Sequence, residues 1–282
     1  MQPRVLALSS ALSIVLQLPR VLFVAWQNPN SRAIYPIARM VQVTAAPRYE
    51  FSYVRGVLDA QREGFVPFRE LPDLHEAYRF DDLPPLFTNR IMSASRADFA
   101  DHLERLALAD GTSDAPEPVL LLARSEGRKE TDSLEITAAP EFELSGRSWI
   151  YHGFVRGVRH LAGAEEAIHS LHAGDLLRIE RDGTNAWDAR ALLVLRRDQE
   201  LLGFVPHILV EDFGWFLDRG SAVRAEVVRV NRPPAPAHQR VLVAFRVEHQ
   251  PGFVPMSTRR FEPLAASATP LDLAAAAELR PA

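Results

Sequence analysis

The stretch Gly174-Asp-Leu-Leu-Arg-Ile-Glu-Arg181 opens the part of the chain that decides the fold. Two apolar runs follow it, Ala191-Leu-Leu-Val-Leu195 and Leu201-Leu-Gly-Phe-Val-Pro206, each preceded by residues typical of turns. Short runs of this kind, bounded by turn-forming residues, predict short β-strands. We therefore expect strands at 175–181, 190–197 and 201–205.

The sequence on both sides of this stretch extends the same pattern. Small or apolar residues alternate with polar ones from Trp149 to Gly157, and further strands are expected at 221–230 and 240–248. Short helices fit 164–171 and 208–217. Many short strands with two small helices predict a compact, OB-like β-barrel over residues 148–250. Residues 140–146 precede it as a linker.

The N-terminal half has a different pattern. Two runs rich in β-branched and aromatic residues, 21–26 and 33–43, surround the turn-forming segment Gln27-Asn-Pro-Asn-Ser31 and predict a β-hairpin. A third strand is expected at 49–55, because apolar residues alternate there. Between residues 77 and 108 the apolar spacing is helical. Residues 20–139 are therefore predicted to form a small sheet followed by helices, which makes the fold class α+β.

Both ends of the chain are expected to lie outside these domains. Residues 1–19 contain an apolar run after Arg4, and we interpret them as an N-terminal extension, either a start codon placed too early or a signal sequence. Residues 251–282 are rich in alanine, proline and arginine. Their composition predicts a flexible C-terminal tail.

Composition limits the possible functions. The chain has 282 residues, 32 basic against 36 acidic side chains, a net charge of −4 and no cysteine. The absence of cysteine excludes disulfides, thiol catalysis and thiolate zinc sites. The net charge provides no strong general attraction to nucleic acid, so DNA binding needs a local site. We expect a cytoplasmic, bacterial protein with no membrane contact.

Four motifs in the second half carry a family resemblance. They are Val155-Arg-Gly-Val-Arg-His160, Gly174-Asp-Leu-Leu-Arg-Ile-Glu-Arg181, Asn185-Ala-Trp-Asp188 and Leu202-Gly-Phe-Val-Pro206. In order and spacing, residues 148–231 resemble a HIRAN domain. The resemblance implies an OB-like barrel that binds DNA and captures a single-stranded end that carries a 3′-OH.

The resemblance also implies which residues bind DNA. Arg159 and His160 take the positions of the family's basic-aromatic pair, with histidine where an aromatic residue is common. The loop that meets the terminal nucleotide is represented by Asn185, Trp187 and Asp188, with Ala186 in place of proline. Phe204, in the last motif, completes the set that the family implies.

The chemistry of these side chains fits such a role. Trp187 can stack on a base, Arg159 can pair with a phosphate, and the carboxylate of Asp188 can accept a hydrogen bond from a free hydroxyl. His207, near a predicted helix start, is a further candidate phosphate contact. The alternative is that residues 182–188 are an ordinary turn and that Trp187 covers the mouth of the barrel.

The N-terminal half carries a second resemblance, in Tyr49-Glu-Phe-Ser-Tyr53, Leu86-Phe-Thr-Asn-Arg90 and Gly127-Arg-Lys-Glu-Thr-Asp132. In the order of these motifs, residues 21–137 are similar to the small N-terminal subdomain of HipA-type toxin kinases. The ATP-binding core that follows this subdomain in the kinases has no counterpart in the sequence. The resemblance implies a protein-interaction module. From the residues alone, Arg90, Arg128 and Asp132 form either a functional surface or an ion-paired loop.

No motif predicts catalysis, a cofactor or a metal. The chain lacks Gly-x-Ser-x-Gly, a phosphate-binding glycine loop followed by lysine, and His-Glu-x-x-His. His169 and His172 have a spacing that could share a metal, but no third ligand lies near them in sequence.

The leading hypothesis is a non-enzymatic DNA-binding adaptor that recognises a 3′-OH end and recruits an unknown protein partner through its N-terminal domain. The alternative is a protein-interaction or antitoxin-like regulator that binds no nucleic acid. A metal-dependent phosphodiesterase is a third hypothesis.

Overall fold

The structure is a computed structural model. It describes residues 21–43, 46–109, 116–143, 145, 147–183, 185, 188–196, 199–271 and 273. The predicted extension 1–19 and the predicted base-stacking residue Trp187 lie outside the described residues.

The N-terminal unit, residues 21–138, is built on a five-stranded antiparallel sheet in the order β4-β3-β2-β1-β5. Asn28 forms the predicted hairpin turn, because its Oδ1 accepts hydrogen bonds from the backbone N–H groups of Asn30 (2.7 Å) and Ser31 (3.1 Å). The strands are β1 Val21–Gln27, β2 Ile34–Gln42, β3 Tyr49–Tyr53, β4 Ala77–Phe80 and β5 Leu134–Ala138.

The helices of this unit are α1 Val57–Arg62, α2 Pro85–Thr88, α3 Phe99–Arg105 and α4 Pro118–Ser125. Helices α1, α2 and α4 pack on one face of its sheet, whereas α3 packs with Phe154 and Leu242 of the C-terminal half. The prediction of helical structure from residue 77 is wrong at its start, because residues 77–80 form β4 and pair with β3. Tyr78 and Phe80 alternate along this short strand, and four residues are too few for that period to be told from a helical one.

The C-terminal unit, residues 141–250, contains a seven-stranded antiparallel sheet in the order β10-β9-β8-β11-β12-β7-β6. Residues 141–143, predicted as a linker, pair with β7 as its edge strand. The strands are β6 Glu141–Glu143, β7 Ser148–Phe154, β8 Leu176–Arg181, β9 Leu192–Leu195, β10 Leu201–Phe204, β11 Arg224–Val230 and β12 Val241–Glu248, and the helices are α5 Ala164–His169 and α6 Val210–Leu217.

This sheet is not closed into a barrel. Arg156, two residues past β7, meets Phe204 of β10 in one antiparallel bridge with N–H···O distances of 2.8 and 2.9 Å. No ladder continues from that bridge in the described residues. The α+β class with two antiparallel sheets is confirmed, whereas the OB-like barrel is not.

Strand β1 joins the cores of the two units. Leu22 and Val24 pack into the core of the N-terminal unit. Phe23 and Ala25 point to the opposite face and pack into the core that contains the strands of the C-terminal unit. Burial on both faces explains why β1 is a continuous apolar run rather than an alternating one. The division into separate domains stays a prediction, because this core is shared.

The segment after residue 250 corrects the prediction of a flexible tail. Phe253, Met256 and Phe261 are each no more than 5% exposed. The Leu264 N–H donates to the Tyr53 carbonyl (2.9 Å), and the rings of Phe261 and Phe23 meet edge to face at 5.1 Å. Isolated apolar residues of this alanine- and proline-rich segment pack against both units. The composition of the segment does not indicate this packing. The residues of the tail beyond 273 lie outside the described residues.

Among the residues that the structure describes, no helix has the length and apolar character needed to cross a membrane.

Candidate functional site

A cleft of about 750 Å³ lies between the two units. Its volume is within the ~300–1,000 Å³ typical of ligand pockets. One wall comes from the C-terminal unit and holds six of the seven sequence-predicted site residues. The cleft therefore brings together Arg159, His160, Asn185, Asp188, Phe204 and His207.

Two glycines allow the backbones of this wall to approach closely. A Cβ on Gly203 would lie 2.3 Å from the Arg156 carbonyl oxygen, and a Cβ on Gly157 would lie 2.8 Å from Cδ2 of Phe204. Gly157 also has a φ of +75°, which side-chain-bearing residues rarely adopt. The contact places the 3-10 turn Val158–His160 beside Phe204.

The loop between β8 and β9 fixes the direction of Asp188. The Asn185 Nδ2 donates to Asp182 Oδ2 (3.0 Å), and the Asp188 N–H donates to Asn185 Oδ1 (2.9 Å). The Ala191 N–H then donates to the Asp188 carbonyl (3.0 Å). The turn predicted as the alternative role of this loop is thus present, and Asp188 at its end lines the cleft.

Asp188 and His207 form a hydrogen-bonded pair on the cleft wall. His207 Nδ1 donates to Asp188 Oδ2 at 2.8 Å. Burial lowers the pKa of His207 below its ordinary value, and the positive charges of Arg190 and Arg260 act in the same direction, against the opposing effect of Asp188. His207 is therefore neutral at pH 7, and the pair carries the single negative charge of Asp188.

An ion-pair network supports this pair from behind. Arg190 lies 3.3 Å from Nε2 of His207 and pairs with Glu211 (3.1 Å). Arg260, from the C-terminal segment, binds the same Glu211 carboxylate (2.9 Å) and donates to the Ile34 carbonyl (3.2 Å) of the N-terminal unit. The imidazole is therefore fixed by groups from both units.

Arg159 is the exposed cation of this wall. Its Nε donates to Nε2 of His160 at 2.9 Å, and both side chains are exposed. Within the described residues no carboxylate forms an ion pair with Arg159. Its guanidinium has donors available for an anionic ligand, since only one of them is used in this contact.

The opposite wall belongs to the N-terminal unit and was not predicted as part of the site. Its polar residues include Gln27, Arg32, Arg128, Glu130 and Glu135. Of these residues, the sequence analysis had singled out only Arg128, as part of either a functional surface or an ion-paired loop. The proximity of residues that lie tens to more than a hundred positions apart cannot be obtained from local pattern.

Arg156 holds the two walls together. It pairs with Glu126 at 2.7 Å and also with Glu135, both from the N-terminal unit. Burial lowers the pKa of Arg156, but the two carboxylates outweigh it and raise the pKa above its ordinary value. Arg156 therefore stays positively charged across the physiological pH range.

His238 adds a third histidine to the cleft. Desolvation, with the positive charges of Arg128 and Arg156, lowers its pKa to about 4. It is neutral at pH 7 and contributes hydrogen-bonding capacity without charge.

The remaining sequence candidates have structural roles. Arg90 pairs with Asp132 and donates to the Gly127 carbonyl (2.8 Å), so these two residues form an ion-paired loop. His169 binds the Glu165 carbonyl of its own helix (2.9 Å). In the part of the chain that is described, no three His, Cys, Asp or Glu residues are grouped to hold a metal.

Comparisons with known proteins give a limited result. No protein-family model and no curated protein matches the chain. A crystal structure of a Lactobacillus plantarum protein is similar at 19% identity, covering 35% of this chain and 92% of that one, with a TM-score of 0.31. The HIRAN domain of human HLTF is similar at 16% identity, covering 39% of this chain and 79% of that one, with a TM-score of 0.27.

These values describe a weak, partial structural likeness and assign neither fold nor function. They do not support the resemblance of residues 21–137 to HipA-type kinases, which stays a prediction. The function is therefore argued from the cleft itself.

Proposed function

We propose that the cleft binds the 3′-OH end of single-stranded DNA without catalysing a reaction. The observation that carries the proposal is the placement of a hydroxyl acceptor and an unpaired cation on one wall. Asp188 supplies the acceptor and Arg159 the cation, and both line the same cleft.

Asp188 provides selectivity for the end. An ionised carboxylate has about four lone-pair sites. Two protein donors occupy part of that capacity, the Nδ1–H of His207 and the Arg190 N–H. The remainder can accept a hydrogen bond from a terminal hydroxyl. A terminal phosphate is repelled by the carboxylate, because neutral His207 adds no positive charge and the Nε of Arg190 lies 3.8 Å from the Asp188 carboxylate.

Arg159 and Phe204 provide contacts that do not depend on base identity. Arg159 can bind the last internal phosphate through parallel hydrogen bonds. Phe204 is partly exposed on the wall, and stacking a base on an aromatic ring contributes roughly 1–3 kcal/mol. The cleft would therefore recognise an end rather than a sequence.

Recruitment of a protein partner by the N-terminal unit remains a proposal based on the sequence resemblance alone. Large apolar patches usually mark such surfaces. In the described residues, the exposed large hydrophobic side chains are Val66 and Leu176, one in each unit. This distribution does not favour the alternative of a pure protein-interaction regulator.

The test is fluorescence anisotropy of labelled single strands that end in 3′-OH or 3′-phosphate. We expect the wild-type protein to prefer the 3′-OH strand, and Asp188→Asn to lose most of that preference. A charge-assisted hydrogen bond is worth about 1.5–3 kcal/mol, which corresponds to roughly tenfold to hundredfold in affinity. Asp101→Asn, an exposed carboxylate outside the cleft, is the matched control.

Arg159→Ala tests the phosphate contact, with Arg69→Ala as an exposed arginine away from the cleft. The logarithm of affinity should fall with the logarithm of salt concentration by about 0.7 per phosphate contact, and Arg159→Ala should reduce that slope. A wild-type protein that binds neither strand at low salt contradicts the proposal and favours the protein-interaction alternative.

A further inference from the structure

We propose that the N-terminal unit forms the second half of the nucleic-acid site and binds the strand upstream of its end. Its cations Arg32 and Lys129 would contact phosphates that precede the terminal nucleotide. This inference rests on the proposed function and assigns to the N-terminal unit a role in DNA contact.

A second cavity continues the cleft into the N-terminal unit. It has a volume of about 190 Å³ and extends to Lys129, Asp132 and Ser133. Both cavities are bounded by the same residues at their junction: Gln27, Arg32, Ile34, Arg128, Glu130 and Glu135. They form one groove from Asp188 to the end of β1 and the start of β5.

Two cations in this groove are available to a ligand. Arg32 and Lys129 are exposed, and within the described ranges neither forms an ion pair with a carboxylate. Arg128 lines the same groove but pairs with Glu135 at 2.9 Å. Arg32 and Lys129 are therefore the residues that an incoming phosphate meets without displacing a carboxylate.

The backbone that presents Arg32 is fixed. The Arg32 N–H donates to the Asn28 carbonyl (3.0 Å), and Gln27 Nε2 donates to the Arg32 carbonyl (3.0 Å). Asn28 is in turn anchored by a hydrogen bond from its Nδ2 to the Glu63 carbonyl (3.0 Å). The cation therefore extends from a turn of defined position.

The two halves of the groove are also fixed relative to each other. Arg156 bridges to Glu126 and Glu135, and Arg260 bridges from Glu211 to the Ile34 carbonyl. A groove formed before binding avoids the free-energy cost of ordering two separate surfaces. The occupant is a single strand, because its phosphates can meet separated cations while its end lies at Asp188.

The length of the bound strand tests this inference. The probes are 3′-OH oligothymidylates of about two and about eight nucleotides, the longer within the ~4–16 nucleotides that single-strand-binding folds cover. For the wild-type protein, we expect the longer strand to bind more tightly. For Arg32→Ala/Lys129→Ala we expect loss of that gain, with short-strand affinity and the 3′-OH preference unchanged.

Salt dependence gives a second readout. Loss of two phosphate contacts lowers the slope of log affinity against log salt concentration by about 1.4. When salt is raised from ~50 to 200 mM, the affinity of the wild type for the long strand should therefore fall by a factor roughly sevenfold larger than that of the variant. Arg69→Ala/Arg224→Ala removes the same charge from exposed positions outside the groove and should leave the slope unchanged. Thermal melting checks that each variant is folded.

The outcomes separate the two proposals. If the wild type prefers the 3′-OH end but the double variant retains the length gain and the slope, the second wall is not used and the present inference is overturned. If the control double variant loses the same affinity, general charge explains the effect and the inference also fails. Absence of any wild-type binding overturns the proposed function itself.

Discussion

Nδ1 of His207 donates a 2.8 Å hydrogen bond to the carboxylate of Asp188 on the wall of the cleft between the two units. The two residues lie on different loops, one after β8 and the other after β10. Their pairing sets the charge that a ligand meets, because the pKa of His207 is lowered by burial and the imidazole is neutral at pH 7.

Acidification should therefore weaken discrimination against a terminal phosphate. Protonation of His207 below the ordinary histidine pKa, ~6.5, cancels the charge of Asp188. As the pH falls below about 6.5, the wild-type protein should bind the 3′-phosphate strand progressively better relative to the 3′-OH strand. Anisotropy at several pH values measures the ratio of the two affinities.

The terminal phosphate itself also titrates near pH 6, so the His207→Gln variant is the control for that titration and should show a shallower change in the ratio. Equal pH profiles for the two proteins would refute this prediction.

Gly157→Ala should impair binding more than its backbone strain alone would. The new Cβ would lie 2.8 Å from Phe204, which must shift together with the turn that carries Arg159. Gly220→Ala is a matched control, since its φ of +71° is similar and a Cβ there would have no atom within 4 Å. Both variants should lose stability, by roughly 1 kcal/mol or more. In denaturant titrations and anisotropy, only Gly157→Ala should also lose affinity for the 3′-OH strand. Equal affinities of the two variants would show that the close approach does not position the site.

Asp212 should make the protein less stable as pH rises. Burial raises its pKa to about 7, while Tyr151 Oη–H and the Met256 N–H donate hydrogen bonds to its carboxylate. Because the folded pKa exceeds the unfolded one, this contribution favours folding at low pH and is lost between the unfolded pKa of ~3.9 and the folded pKa.

Relative to Asp212→Asn, the wild type should lose about 2–3 kcal/mol of unfolding free energy between about pH 5 and pH 8. Urea titrations of both proteins at the two pH values measure the difference between their free energies of unfolding. Groups that both proteins share contribute equally, so their titration does not affect this difference. A constant difference between them would contradict the raised pKa.

Phe261→Ala tests the packing of the C-terminal segment. Its ring is 5% exposed and meets Phe23 of β1, so truncation should cost about 3–5 kcal/mol, as for other buried phenylalanines. Val66→Ala, at a side chain that is 77% exposed, should change stability little. Denaturant titration compares them, and a neutral Phe261→Ala would restore the prediction of an unpacked tail.

Local pattern predicted many of the individual elements. The hairpin at Asn28 followed from its turn chemistry, and β8, β9 and β10 followed from short apolar runs between turns. Strands β4, β5 and β6 were missed, because they are short and, unlike β9 and β10, contain no continuous apolar run between turn residues. They exist as strands because a neighbouring strand offers backbone hydrogen bonds and an apolar surface.

The candidate site also contains residues that the sequence nominated and residues that it did not. The family resemblance of ordered motifs nominated Arg159 and Asp188 as members of one site, and His207 was nominated by its place near a predicted helix start. That these residues bind DNA is still a prediction. Arg32 and Lys129 carry no local signal, since they are separated from Asp188 in the chain and share a groove with it only through the packing of the two units.

The sequence by itself determined the hairpin at Asn28, strands such as β8, β9 and β10, and which side chains offer an acceptor or a cation, because these properties are set by neighbours a few residues away. The tertiary structure alone decided that β1 is shared by two cores, that the segment after residue 250 is packed, and that the cleft has two walls. Those features depend on contacts between residues far apart in the chain, such as Arg156 with Glu126 and Arg260 with Ile34, whose pairing no local pattern encodes.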